Sequence, residues 1–247
     1  MYPKFYRNIP ALRKLLKMET ILILHGWGSC AKNWAEVKEL LEKKGMRVIV
    51  PDLPGFGENP PPVTAWNIDD YVEWVKDFLE KNNLPRIFLM GHSFGGSIGI
   101  KFAVMYPEKL EGLILAAAGR LTKRNSLKNF SFLVLVKIGK LFFHQQIFKR
   151  IIYKLAGSKD YLSAKGVMKE IMRKVISEDL KPFLPKITVK TLVVWGDKDK
   201  ETPVADAYLI KREVKNSFLD VLPNVGHRIR LDAPEILVEK IVNFIKS

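Results

Sequence analysis

The chain reads as an α/β fold: a mostly parallel sheet of about six strands, helices on both faces, and one inserted helical segment. Three observations predict it. Short leucine-rich or β-branched runs alternate with helical patterns, which is the sequence habit of a parallel sheet crossed by helices. The runs are apolar nearly throughout, as strands covered on both faces must be. The rhythm breaks once, between residues 120 and 186.

In chain order, the expected strands are TILIL (20–24), RVIV (47–50), IFLM (87–90), LILA (113–116), TLVVW (191–195) and SFLDVL (217–222). Helical patterns fall between them at 34–44, 68–82, 95–106 and 204–214, and a last one occupies 234–246. In that last helix Leu237, Ile241, Phe244 and Ile245 recur at helical spacing, giving one apolar stripe to lay on the sheet. Ahead of the first strand, residues 9–17 also look helical and are expected to cover the sheet edge, since an uncovered edge invites aggregation. The segment 121–184 offers no clear strand, only helical patterns separated at Gly157, Ser158 and near Pro182, so it is expected to be a helical cap. A core domain of 1–119 with 187–247, interrupted by a cap at 120–186, is the organisation these patterns imply.

Length and composition bound the function. At 247 residues and 47% hydrophobic content the chain can bury a single large core. The longest apolar candidate, 130–143, is cut by Lys137 and Lys140 and falls short of the roughly 20 residues a membrane span needs. Residues 1–17 show no apolar run followed by a small-residue cleavage site, so a cytoplasmic location is expected. Cys30 is the one cysteine, which rules out an internal disulfide and argues against a thiolate metal cluster; no metal and no cofactor are expected. The net charge of +15 is localised: residues 120–186 hold 16 Lys and Arg against four acids, a net +12, leaving +3 for the rest.

Chemistry concentrates in a few strings. Gly91-His92-Ser93-Phe94-Gly95 follows IFLM and opens the next helix, the strand–turn–helix context in which a G-x-S-x-G turn presents a nucleophilic serine. Glycines flank the serine because a turn this sharp leaves no room for neighbouring side chains, and the Phe94 amide at the helix N-terminus then points where negative charge would develop. His25-Gly26-Trp27-Gly28 ends the first strand, where glycines allow a tight turn that brings a second amide, that of Trp27, toward the elbow. His25 reads as a loop-ordering residue and Cys30 as a packing one.

Together HGWG (25–28), DLPGFG (52–57), GHSFGG (91–96), GDKD (196–199) and Gly226-His227 resemble, in this order, the α/β-hydrolase superfamily. The likeness runs from Ile21 to the C-terminus. HGWG with DLPGFG is most similar to the small carboxylesterases that include the pimeloyl-acyl-carrier-protein methyl esterase, and 121–184 resembles them least. The resemblance implies a triad acid in the loop after TLVVW, where Asp199 matches better than Asp197, a turn or helix-capping residue. Some relatives supply the acid one strand earlier, but residues 112–159 contain no Asp or Glu. Of the four histidines, His144 lies in the cap and His92 at the variable elbow position, which leaves His227; the order Ser93, Asp199, His227 is the one expected of this fold. The implied mechanism is serine attack on a carbonyl with His227 as base, Asp199 orienting it, and the Trp27 and Phe94 amides holding the oxyanion. A serine rather than an aspartate at the elbow argues against dehalogenase or epoxide hydrolase chemistry.

The expected activity is hydrolysis of a carboxylic ester through an acyl-enzyme. The same triad could serve a carrier-bound or lipid ester, or carbon–carbon bond hydrolysis of a ring-cleavage product; a ligand receptor without turnover is the non-enzymatic alternative. The cap is basic and carries Phe130, Phe132, Phe142, Phe143 and Phe148. It reads as a solvated cationic face over an apolar lining, with an acidic carrier protein or an anionic lipid surface as the partners it would suit. The basic residues follow no nucleic-acid reading motif, so no nucleic acid partner is expected.

Overall fold

The computed structural model of the chain describes residues 18–119, 121 and 166–247. The expected N-terminal helix at 9–17 and most of the expected cap, with His144 and Phe130, Phe132, Phe142, Phe143 and Phe148, lie outside the described residues.

Six strands form one sheet: β1 Thr20–Leu24, β2 Arg47–Ile49, β3 Ile87–His92, β4 Leu110–Ala116, β5 Thr191–Gly196 and β6 Ser217–Leu222. Every neighbouring pair is parallel, in the order β2-β1-β3-β4-β5-β6. Between and after them run α1 Ala35–Lys43, α2 Ile68–Lys81, α3 Phe94–Met105, α4 Val167–Ser177, α5 Val204–Glu213 and α6 Pro234–Lys246. The strands and helices expected within these residues are all present, to within a few residues at their ends. β4 begins earlier than LILA because Leu110 and Gly112 already pair with Ile87 and Phe88 across a register shift. β3 runs on to His92 because Gly91 and His92 continue the ladder with Leu115 and Ala116.

Apolar runs became strands because both sheet faces are covered. β3 and β5 are buried at every residue. Successive residues of a strand point to opposite faces, and β4 shows the two covers directly. A Cβ on Gly112 would stand 3.2 Å from Phe244 of α6, while Leu113 and Leu115 lie under Gly99 of α3. Helix α2 starts at a capping box, with the Asn67 side chain accepting the Asp70 amide and Asp70 accepting the Asn67 amide. It buries Ile68, Tyr71, Val72, Val75 and Leu79 along one stripe. Helix α3 is enclosed almost all round, so it is apolar nearly all round, with Ser97 and Lys101 as its two polar residues.

Lys101 is 4% exposed and binds two carboxylates, Asp69 of α2 at 2.5 Å and Glu178 just beyond α4. Its ammonium also lies 5.0 Å from the Phe183 ring centroid. Burial disfavours the charge, but the bonds to Asp69 and Glu178 outweigh it and raise the Lys101 pKa. This ion cluster, buried at Lys101 and open to solvent at Asp69, fastens the segment that returns to the sheet onto the helix that follows Ser93. Among the described residues no helix is long and apolar enough to cross a membrane.

Candidate active site

From β1 the chain turns to β2 on one side and later to β3 on the other, so the sheet order reverses between β1 and β3. At such a switch point the loops leaving the strand ends part and open a crevice. The turn after β1 carries His25–Gly28 and the turn after β3 carries Ser93; both open into this place.

Ser93 has φ 51 and ψ −117, a conformation that L-residues avoid. Such a residue costs about 1–3 kcal/mol. The surroundings over-determine it. Its amide donates to the carbonyls of Ala116 and Ala117, and its carbonyl accepts from the amides of Gly96, Ser97 and Gly119 at 2.7–3.2 Å. At roughly 1 kcal/mol net for each such bond, the clamp exceeds the strain. The flanking glycines are steric necessities: a Cβ on Gly91 would stand 2.3 Å from the Gly95 carbonyl oxygen, and one on Gly95 would stand 2.2 Å from that of Leu24.

Gly26 backs onto the serine so closely that a Cβ there would be 3.1 Å from Ser93 Cβ. The peptide leading into Trp27 therefore lies beside the Ser93 side chain. The amides of Trp27 and Phe94 donate to no other group among the described residues. The two rings meet edge-on at 5.4 Å, and Phe56 and Tyr71 join them at 4.9 Å from Trp27 and 5.0 Å from Phe94. Met168 of α4 packs against Gly55, seating that helix on the DLPGFG loop.

The loop after β5 folds the Asp199 side chain out of solvent, where its carboxylate accepts four hydrogen bonds. Oδ1 takes the amides of Glu201 at 2.8 Å and Thr202 at 2.9 Å; Oδ2 takes the Thr202 hydroxyl at 2.8 Å and His227 Nδ1–H at 2.8 Å. Burial pushes the Asp199 pKa up, but the bond to His227, with its charge, and the Thr202 bonds prevail and hold it below the ordinary carboxylate value. Asp197 acts elsewhere. It accepts the Asn224 amide at 2.7 Å, tying the loop after β6 to the loop after β5, and it caps no helix.

The structure thus brings Asp199 and His227 into direct contact and sets Ser93 on its strained turn. The Ser93 hydroxyl makes no hydrogen bond to His227 among the described residues; His227 Nε2 lies 3.5 Å from Glu201 Oε2. The elbow is linked to His227 through His92, whose Nε2–H donates to the His227 carbonyl at 2.9 Å. His25 orders its loop, with Nδ1–H donating to the Gly26 carbonyl and Nε2 accepting the Leu53 amide. Burial lowers its pKa, so it stays neutral. Cys30 is half-buried at the start of the 3-10 turn Ala31–Trp34. Among the described residues no group of three or more His, Cys, Asp or Glu side chains is placed to share a metal ion.

Sequence reasoning missed Thr202, Glu201 and the role of His92. A histidine inside an otherwise apolar strand was a visible sign for His92; a Thr-Pro pair three residues after an acid was a fainter one for Thr202.

Fold and site together define an α/β hydrolase. The profile of the alpha/beta hydrolase fold family matches residues 19–160, and the chain belongs to that family. An esterase from Exiguobacterium antarcticum superposes with a TM-score of 0.73 at 25% identity, over 93% of this chain and 92% of that one. Lipase 3 of a Moraxella strain is 25% identical over 85% of this chain and 71% of its own length. A 2-hydroxy-6-oxononadienedioate/2-hydroxy-6-oxononatrienedioate hydrolase of Pseudomonas putida is 24% identical over 92% and 88%.

Proposed function

We propose that the protein is a serine hydrolase that cleaves a carboxylic ester through an acyl-enzyme. The observation that carries the reading is the buried Asp199–His227 pair at 2.8 Å beside a serine held on a strained elbow. A serine hydroxyl is a poor nucleophile at neutral pH. His227 Nε2 takes its proton as Ser93 Oγ attacks the carbonyl carbon, and Asp199 fixes the Nδ1–H tautomer and stabilises the imidazolium. The amides of Trp27 and Phe94 hold the oxyanion; the alcohol leaves with the proton from His227, and water repeats the sequence on the acyl-enzyme. The esterase and lipase relatives support this chemistry.

The Pseudomonas putida relative supports a second reading, carbon–carbon bond hydrolysis of a ring-cleavage product on the same residues. The +12 charge of residues 120–186 supports an acidic carrier protein or anionic lipid as the bearer of the ester, because a cationic surface steers such encounters.

The test is hydrolysis of short p-nitrophenyl esters and of a ring-cleavage dienedioate by the wild type and Ser93→Ala, with fluorophosphonate labelling mapped to Ser93. Ester turnover lost in the variant is the expected result. Turnover that survives the substitution sinks the serine mechanism, and turnover of the dienedioate alone moves the assignment to the second reading. If the charge steers a carrier-bound ester, added salt should slow that substrate and leave the p-nitrophenyl ester unchanged; equal salt effects remove the docking idea.

A further inference from the structure

We propose, resting on the serine-hydrolase reading above, that His92 is a positioning residue whose bond to the His227 carbonyl sets the base in register with the nucleophile. His92 is the residue before Ser93 and the last of β3, and its pairing with Ala116 fixes its backbone in the sheet. From that fixed point one imidazole reaches three other segments. Nε2–H donates to the His227 carbonyl at 2.9 Å, and the two imidazole centroids are 4.9 Å apart. Nδ1 lies 3.1 Å from where a Cβ on Gly26 would stand, so the turn carrying the Trp27 amide closes on the ring. Trp34 meets it edge-on at 5.6 Å.

An apolar side chain of similar bulk would fill this place without the desolvation cost of an imidazole. The ring is 5% exposed, and its Nδ1 has no hydrogen-bond partner among the described residues. What imidazole alone contributes is the one bond to His227. Burial first, then the neighbouring His227 imidazole and more weakly Arg230, press the His92 pKa down to about 3, with the bond to the His227 carbonyl and then Asp199 opposing. The ring is therefore neutral across the physiological range, its single proton is on Nε2, and the strut does not open as pH changes there.

The bond holds the main chain of residue 227, whereas Asp199 holds its ring. One fixes where the base stands and the other how it is turned; both are needed to aim Nε2 at Ser93. Misplacing a catalytic group by about 1 Å can cost on the order of 100-fold in rate.

The test compares the wild type with His92→Leu, His92→Gln and His92→Asn in ester kinetics and thermal unfolding. The Gln amide nitrogen reaches as far as Nε2 and can donate; the Asn amide falls short, at the position of Nδ1. Expected is a kcat lowered roughly 10- to 100-fold in the Leu and Asn variants with KM within about twofold, and most of the loss recovered in the Gln variant. Equal kcat in the Gln and Asn variants overturns the proposal, even where the Leu variant does not fold. A loss that follows KM or the fall in thermal midpoint, rather than the presence of the donor, also overturns it. A wild type that fluorophosphonate does not label on Ser93 overturns the serine-hydrolase reading and this inference with it; a labelled wild type with indifferent His92 variants overturns this inference alone.

Discussion

At the Ser93 elbow the fixing interactions are made by main chain: five backbone hydrogen bonds clamp the serine, and the close approaches at Gly91 and Gly95 are to backbone oxygens. Around Asp199 and His227 the fixing groups include side chains, namely the Thr202 hydroxyl, the His92 ring and the two partners themselves. The elbow is thus part of the fold, continuous with β3, β4 and α3. The Asp199–His227 pair is an assembly of groups from two loops, those that follow β5 and β6. A substitution at the elbow glycines should unfold the protein before it alters the chemistry, and a substitution among the acid–base side chains should do the reverse.

Asp199→Asn is the largest expected departure. The amide fits the same pocket but can present a donor to His227, which reverses the tautomer the base requires; kcat should fall about 10⁴-fold, roughly 5.5 kcal/mol of transition-state stabilisation. Thermal unfolding should change far less. Ester kinetics showing a loss under about 100-fold would mean that the imidazole is oriented by another group, with Glu201 the first to examine.

Gly95→Ala sharpens the other half. Its Cβ would stand 2.2 Å from the Leu24 carbonyl oxygen, main chain of a central strand that cannot rotate away. The expected cost is about 3 kcal/mol, a fall in melting temperature of roughly 10 °C for a chain of this length. Molecules that remain folded should keep a labelled serine. A variant that melts with the wild type but labels slowly would show that the elbow, too, is tuned rather than merely built.

This contrast explains what was legible in the sequence. The six strands were: the inner four because doubly covered strands must be apolar along their whole length, as in ILIL of β1 and LVVW of β5, and the edge strands β2 and β6, which expose Arg47 and Phe218, by their short β-branched or leucine-rich runs. The elbow was, because backbone crowding leaves glycine as the only solution at positions 91 and 95. The pairing of Asp199 with His227 was anticipated through resemblance and loop position. Thr202 was not, since a hydroxyl three residues past an acid acquires its role only when the loop curls back on the carboxylate. His92 was not, since its burial depends on loops from residues 26, 34 and 227 converging on one ring. Asp197 was half legible: its turn could be inferred, but its bond to Asn224 joins segments 27 residues apart.

Thr202→Val is the smallest expected effect and separates the contributions within the acid–base half. Valine keeps the shape and the amide that bonds Oδ1, and it deletes only the hydroxyl that bonds Oδ2 beside His227 Nδ1. Loss of one charge-assisted bond of about 1.5 kcal/mol predicts a roughly tenfold lower kcat, since the remaining three bonds still hold the carboxylate. The pH dependence gives the sign. Asp199 titrates below its ordinary value in the folded protein, so the stability it contributes is present above the unfolded pKa and is lost as pH falls through the folded one. Removing a donor to the ionised form moves the folded pKa up, so the variant should lose less stability on acidification than the wild type and finish losing it at a higher pH. Acid titrations of thermal stability that superimpose for the two proteins would assign the depressed pKa to His227 and the amides alone. The acid–base half would then rest, like the elbow, more on main chain than on the side chains around it.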